Sequence, residues 1–194
     1  MKEKIIKYGY YIVLLLIVLL TILNTKLDNM DELWIFSNAK NIIDGLVPYR
    51  DINIIVTPLS QYLNSILLRI SPILITFRII YFFYYVIIII LLDRILDILN
   101  IKGLLKYLFI LFFIIMLVKI CFLDYNFIQF IMILMLLYLH IKNRDYSNKK
   151  INIIIPLISG LSIINKQSTG VIICGANIFI IDTYFIIYDI FINF

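Results

Sequence analysis

The chain has little charge and few of the residues that build flexible linkers. Only 15% of its 194 residues are charged, whereas 63% are hydrophobic, and the mean hydropathy is +1.05. A soluble domain needs more polar surface than this composition supplies, so the composition excludes a soluble globular protein. We therefore predict an integral membrane protein built from several helices.

Cysteine and histidine are too scarce to suggest a metal or redox centre. Cys121 and Cys174 stand in apolar runs, without the CxxC or Cys/His spacing that zinc ligation or a redox pair requires. His140, the single histidine, stands at the end of an apolar run without a ligand partner in the sequence. We interpret the cysteines as packing residues and His140 as interfacial, and the sequence leaves open whether a divalent metal assists the function.

The net charge does not point to a nucleic-acid partner. The formal charge is +5 at pH 7, and many lysines and arginines stand in short segments between apolar runs. Loops that flank membrane spans carry such an excess on their cytoplasmic side, which accounts for the charge. We expect membrane lipids, and no nucleic acid, to contact the chain.

Six apolar runs are candidates for crossing a bilayer, whose hydrocarbon core of about 30 Å needs about 20 helical residues. The first run lacks a small-residue cleavage site behind it, which favours a retained anchor over a signal peptide. Because no repeat or flexible linker divides the chain, we predict one all-α transmembrane domain over residues 1–194. The predicted spans are residues 5–23, 74–92, 104–123, 125–141, 151–164 and 171–194.

Two amphipathic segments lie between the first and second predicted spans. In residues 57–70, TPLSQYLNSILLRI, the apolar side chains share one helical stripe, which favours a helix lying in the membrane interface over one that crosses. In residues 31–45, DELWIFSNAKNIIDG, apolar residues recur near helical spacing and Gly45 stands where a helix would stop. The predicted fold is a bundle of six transmembrane helices plus these two interfacial helices.

The distribution of lysine and arginine supports this topology. If residues 57–70 do not cross, ten of the 17 Lys and Arg residues face the cytoplasm, against seven if they do. We therefore predict a plasma-membrane protein with a cytoplasmic N-terminus and an external first loop. This topology brings Asp31, Asp124 and Lys166 to the outer face from three separate parts of the chain.

Each of these polar residues has a structural as well as a functional interpretation. Asp31 and Glu32 would open a helix, whose dipole favours ionised carboxylates by about 0.3–1 kcal/mol; they could act as a base, bind a cation or only complement the helix. Asp124 could simply end a span, and Lys166 could be an anchor that reaches out of the membrane. Arg50 could form a local ion pair with its neighbour in the sequence.

The order of four short motifs resembles a known class of enzymes. These motifs are DE at residues 31–32, PYRD at 48–51, TPL at 57–59 and KQSTG at 166–170. In this order the chain resembles the N-terminal part of bacterial GT-C membrane glycosyltransferases, the relatives of protein O-mannosyltransferases and lipid A aminoarabinose transferases. The resemblance runs from residue 1 to about residue 175.

The resemblance implies sugar transfer from a polyprenyl-phosphate-linked donor to a lipid, glycan or protein acceptor at the outer face. It implies Asp31 as the general base, Asp124 as a second catalytic carboxylate and Lys166 as a ligand of the donor phosphate. Glu32 and Arg50 would help to bind the substrate. Such enzymes continue through further membrane spans. The resemblance therefore also implies that this chain is the N-terminal portion of the enzyme, apparently truncated, and it leaves open whether the chain is active.

A non-catalytic membrane protein, either a transport component or an assembly partner, is the alternative. A transport role would require a polar path across the bilayer. The predicted spans offer few polar residues for it besides Arg78 and Asp182. The sequence therefore favours the glycosyltransferase.

Overall fold

The computed structural model describes the backbone of residues 2–24, 30–120 and 124–192, and the side chains of residues 6–24, 30–118 and 124–181. These residues form helices without any strand, in agreement with the predicted all-α class. An isolated bridge between Pro48 and Ile52 closes a tight turn. The eight helices described are α1 (Lys2–Asn24), α2 (Met30–Ile43), α3 (Leu59–Leu68), α4 (Leu74–Ile98), α5 (Gly103–Ile120), α6 (Tyr125–Lys142), α7 (Lys149–Asn165) and α8 (Gln167–Ile192).

The number of membrane-spanning helices differs from the six predicted. Among the described residues, three helices are long and apolar enough to cross: residues 6–24 of α1, α4 and α6. The apolar parts of α5 and α8 that could be assessed, Gly103–Val118 and Gln167–Ile181, are shorter. Helix α7 has 17 residues, and about 1.5 Å per residue makes it shorter than a hydrocarbon core of about 30 Å. The side chains of Asp182, Asp189 and Cys121 lie outside the described residues.

The outer surface of the bundle is apolar. Ile12 of α1, Phe112 of α5 and Ile153 of α7 are 58%, 63% and 70% exposed. Exposed apolar side chains on this scale would aggregate in water, whereas hydrocarbon solvates them. Together with the three long apolar helices, this surface is compatible with a membrane protein.

Helix α4 forms the centre of the bundle and packs against α1, α3, α5 and α6. Its inward face carries fully buried rings at Phe77, Tyr81 and Tyr85. Phe127 of α6 enters this aromatic row, with its ring centroid 4.6 Å from that of Tyr85 and 5.7 Å from that of Tyr81. Aromatic pairs at such distances stabilise a fold beyond what the burial of their surface area contributes. The row therefore fixes the first turn of α6 against α4.

Helix α2 ends where the sequence predicted, because Gly45 adopts a positive φ of 91° that closes the helix. The apolar residues that recur near helical spacing in this segment do not all face inward. Ile35 and Ala39 are fully buried, whereas Leu33 is 44% exposed. Glu32 lies on the buried face, one residue from the exposed Asp31.

Helix α3 directs its polar face inward and its apolar face outward. Within α3, Tyr62 and Ile66 are 41% and 60% exposed, and the polar residues at positions 60, 61, 64 and 65 are buried. This arrangement is the reverse of an amphipathic helix on a soluble protein, and it is stable where the surroundings are apolar and the protein interior holds polar groups. With 10 residues, α3 extends about 15 Å, too short to cross.

Charged groups link α1, α4 and α5 at one end of the bundle. Lys106 of α5 is 5% exposed, and its ammonium contacts the carboxylate of Asp93 and that of Asp97, the latter at 2.7 Å. The Tyr11 hydroxyl donates to Asp93, and Lys7 lies 3.5 Å from the same carboxylate. The buried lysine is therefore matched by carboxylates of a neighbouring helix.

Lys106→Met should destabilise the bundle by about 2 kcal/mol. Removing one partner of a buried ion pair costs roughly 3–5 kcal/mol, and Lys7 and Tyr11 remain to compensate part of the charge on Asp93. The measurement is denaturant unfolding in detergent, with the exposed Lys102→Met as the matched control. Adding Asp93→Asn to Lys106→Met should recover part of the loss, and equal unfolding of the two lysine variants would contradict the role of the cluster.

Candidate functional site

Asp124 caps the first turn of α6. Its Oδ1 accepts a hydrogen bond from the backbone N–H of Asn126 at 2.8 Å, and its Oδ2 accepts one from the Asn126 side-chain amide at 2.7 Å. Asp124 is 2% exposed, and the Tyr81 hydroxyl donates to its carbonyl oxygen at 3.4 Å. An Asp at this position satisfies the open N–H groups of the helix, so its carboxylate is held in one orientation.

Lys166 reaches the same amide from another part of the chain. It stands at the break between α7 and α8, and its Nζ donates to Oδ1 of Asn126 at 2.7 Å. The ammonium also lies 5.2 Å from the centroid of the Tyr125 ring, within the range of a cation–π contact. Asn126 therefore accepts from Lys166 and donates to Asp124, and joins a cation and a carboxylate in one network.

A cavity of about 450 Å³ adjoins this network. Asp31 and Trp34 of α2 form one wall and Tyr125 of α6 another, and the remaining lining is apolar: Met30, Ile55 and Val56. The Asp31 side chain is exposed, and its charge acts on Asp124. A cavity with aromatic and aliphatic walls and a few polar groups is the usual form of a small-ligand site.

The two carboxylates of the site occupy different environments. Burial is the largest influence on Asp124 and raises its pKa; the hydrogen bonds from Asn126 oppose the rise, and the charge of Asp31 adds to it. The net effect raises the pKa of Asp124, so it holds a proton to higher pH than an ordinary aspartic acid. Asp31 is the carboxylate of this pair that lines the cavity.

Glu32 faces the protein interior and does not line the cavity. Its side chain is 3% exposed, and burial raises its pKa, an effect that the positive charge of Arg78 opposes and Asp124 reinforces. Arg78 is fixed by a hydrogen bond of 2.7 Å from its guanidinium to the carbonyl of Leu23 at the end of α1. Glu32 is thus buried next to the site, where the charge of Asp124 acts on it.

Arg50 forms the local ion pair that the sequence had left open. Its Nε donates to Oδ1 of Asp51 at 3.0 Å and its Nη2 donates to Oδ2 at 2.8 Å. The backbone N–H of Val47 donates to the same carboxylate at 2.9 Å, and the Arg50 side chain is 70% exposed. Arg50 does not line the cavity. Its contacts are those that close the turn at Asp51.

Asn126 and the buried amides behind it were not identified from the sequence. Asn165 donates to the Tyr125 carbonyl and to Oε1 of Gln129, both at 2.9 Å, and is fully buried. An asparagine two residues after a helix-capping Asp, and another beside a lysine at a helix break, were the available signals. These signals become meaningful only when α6 and α7 pack together. Residue spacing does not reveal which helices pack together.

His140 forms two polar contacts that the sequence did not reveal, neither of them with a candidate metal ligand. Its Nδ1 lies 3.0 Å from the Tyr146 hydroxyl and its Nε2 lies 2.6 Å from Oδ1 of Asn177. These contacts tie the C-terminal end of α6, far along the helix from Asp124, to α8. In the part of the chain whose side chains are described, no group of three or more His, Cys, Asp or Glu residues could hold a metal ion.

Glu32→Gln should flatten the pH dependence of stability. Because the folded protein raises the pKa of Glu32, its favourable contribution is fully present below the ordinary value of 4.5 and is lost as the pH rises through the raised value. The wild type should therefore lose stability over this range, with Asp124 contributing in the same direction. Thermal unfolding in detergent at several pH values measures the effect.

The Glu32→Gln variant should lose less stability than the wild type as the pH rises. It should therefore be more stable than the wild type near neutral pH. Asp44→Asn, at an exposed position outside the cavity, is the matched control and should follow the wild type. Parallel curves for wild type and Glu32→Gln would show that the burial of this carboxyl does not control stability.

Comparisons with known proteins do not identify a family for this chain: no protein-family model, curated protein or solved structure matches it. The likeness to GT-C glycosyltransferases therefore rests on the order of motifs in the sequence. Function has to be inferred from the residues gathered around the N-terminus of α6.

Proposed function

We propose that the protein is a membrane glycosyltransferase of the GT-C type, which transfers a sugar from a polyprenyl-phosphate donor to an acceptor hydroxyl at the outer face. The observation that supports this proposal is that Asp31 lines a cavity of which another wall, Tyr125, follows Asp124 in the chain and contacts the ammonium of Lys166. Asp31, Asp124 and Lys166 come from three distant parts of the chain, and the last two share the amide of Asn126. A base and a cation close to one cavity are what transfer from a phosphate ester requires.

Asp31 acts as the general base. Its exposed carboxylate lines the cavity, where it can accept the proton of an acceptor hydroxyl. The hydroxyl oxygen then forms a bond to the anomeric carbon while the bond from that carbon to the phosphate oxygen breaks, and the electron pair leaves with the phosphate. A positioned base of this kind contributes about 10²- to 10⁴-fold to a rate.

Lys166 stabilises the charge that develops on the departing phosphate. Its ammonium is oriented by Asn126 and by the Tyr125 ring, so little reorganisation is needed during the reaction. Asp124 is buried and bonded to Asn126, and therefore acts as a positioning residue for the amide and through it for Lys166. The resemblance to GT-C enzymes had implied a catalytic role for Asp124 instead.

The apolar lining suits a lipid-linked donor. Ile55 is 91% exposed beside the cavity, and Met30 is 85% exposed. The isoprenoid chain of the donor can lie against such side chains while its phosphate approaches Lys166.

Trp34 provides a direct test of donor binding, because it is the one tryptophan of the chain and lines the cavity. A polyprenyl-phosphate sugar should change its fluorescence on titration, with about tenfold weaker binding for Lys166→Met, since a charge-assisted contact to phosphate is lost. Lys149→Met, at an exposed lysine elsewhere, should bind as the wild type does. Absence of any fluorescence response, or equal affinities for all three proteins, would count against the proposal.

A transport component is the second candidate, and a polar stripe along α7 favours it. Ser159, Ser162 and Asn165 are buried at successive turns, and the Asn177 amide joins the Ser159 hydroxyl to His140. These groups connect the neighbourhood of Lys166 with the far end of α6. Proton or ion flux into liposomes that disappears with Asn177→Leu, without any sugar transfer by the wild type, would establish this candidate instead.

A further inference from the structure

A second groove lies between α1 and α4, at the opposite end of these helices from Asp31. Arg78, near the start of α4, bonds to the end of α1, so the two helices are antiparallel and Lys7 lies near Asp93. The groove has a volume of about 360 Å³. Its lining consists of Tyr11, Leu15, Val86, Ile89, Ile90, Asp93 and Arg94.

The charges around this groove do not balance. Among the side chains that the structure describes there, three cations, Lys7, Arg94 and Lys106, face two carboxylates, Asp93 and Asp97, which leaves one excess positive charge. Lys106 and Lys7 hold both carboxylates between them, and Tyr11 also donates to Asp93. The acids of the groove are therefore already neutralised.

Arg94 carries the excess charge. It is exposed at the end of the groove, and among the described side chains no carboxylate lies within ion-pair distance of it. A guanidinium presents its N–H groups as a planar fork that matches two phosphate oxygens. Arg94 is thus positioned to bind an anion from outside the chain.

We propose that the groove binds an anionic phospholipid, with the phosphate on Arg94 and the upper part of an acyl chain between α1 and α4. Leu15, Val86 and Ile90 supply aliphatic walls, and Ile90 is 53% exposed, so the groove opens to the surrounding lipid. Basic pockets between transmembrane helices bind anionic head groups in this way. The site is separate from the cavity beside Asp31 and does not depend on the proposed catalytic function.

The charge balance selects an anionic over a zwitterionic lipid. An anionic head group supplies the one negative charge that the described side chains of the cluster lack. A zwitterionic head group brings an ammonium as well, and that ammonium would meet carboxylates that Lys106 and Lys7 already hold. The phosphate of such a lipid would be partly neutralised by its own cation.

The test is lipid titration of the full chain in detergent, followed by native mass spectrometry, with phosphatidylglycerol and phosphatidylcholine as the probes. Arg94→Gln should weaken phosphatidylglycerol binding about tenfold, because it removes a bidentate charged contact. Arg144→Gln, at an exposed arginine outside the groove, is the matched control and should bind as the wild type does.

A second variant tests the groove without altering its charge. Ile90→Trp should fill the space between α1 and α4, and phosphatidylglycerol binding should fall although Arg94 is intact. Undiminished binding by Ile90→Trp or Arg94→Gln, an equal loss with Arg144→Gln, or equally tight binding of phosphatidylcholine would overturn the proposal. If Arg94→Gln does not yield folded protein, the effect of Ile90→Trp on phosphatidylglycerol binding tests the proposal by itself.

Discussion

Replacing Asp31 with asparagine is expected to lower the rate of sugar transfer by about 10²- to 10⁴-fold. Asparagine keeps the shape of the side chain but cannot accept a proton from an acceptor hydroxyl. Asp31 lines the cavity, so the loss should appear in kcat, with donor binding by the Trp34 signal nearly unchanged. This combination separates a missing base from a damaged site.

Asp44→Asn serves as the control for Asp31→Asn. Asp44 is an exposed acid in the turn after α2 and lies outside the cavity lining. Its removal changes the net charge by the same amount, yet the rate of transfer should remain at the wild-type value. Equal losses for both variants would indicate a general electrostatic effect and would remove Asp31 as the base.

Gly170→Ala is expected to destabilise the protein by about 3 kcal/mol, at the upper end of what overpacking costs. A Cβ at Gly170 would lie 2.4 Å from Cα of Ile163 and 2.5 Å from its backbone nitrogen. Because backbone atoms cannot rotate out of the way, α8 would have to move away from α7. Lys166 stands between these two helices, so transfer activity should fall together with stability.

Gly160→Ala and Gly175→Ala provide matched controls, because a Cβ at either position meets no atom within 4 Å. Alanine favours a helix by up to about 1 kcal/mol over glycine, so both variants should be neutral or slightly stabilised. Denaturant unfolding in detergent measures all three. If Gly170→Ala unfolds like the two controls, the close approach of α7 and α8 does not contribute to stability.

The sequence predicted features that depend on local chemistry. The all-helical class follows from the apolar runs, and the end of α2 follows from the freedom of Gly45 to adopt a positive φ. The start of α6 directly after Asp124 likewise reflects the capping ability of an aspartate. Each of these features is decided by a few residues next to one another in the chain.

The sequence did not predict features that depend on which helices become neighbours. The apolar periodicity correctly predicted a helix at α3. It did not reveal that the polar residues Gln61 and Asn64 face the interior. The pKa of the buried Glu32 depends in part on Arg78 and Asp124, both of which are distant from it in the sequence. Asn126 became important only when α7 brought Lys166 to it.

The most direct test of the account is sugar transfer in liposomes that contain the purified protein, a polyprenyl-phosphate sugar and a hydroxyl-bearing acceptor lipid. We predict product with the wild type, at least a hundredfold less with Asp31→Asn by the usual contribution of a general base, and a wild-type rate with Asp44→Asn. Product that forms equally well with Asp31→Asn, or no product from donors that bind at Trp34, would contradict it.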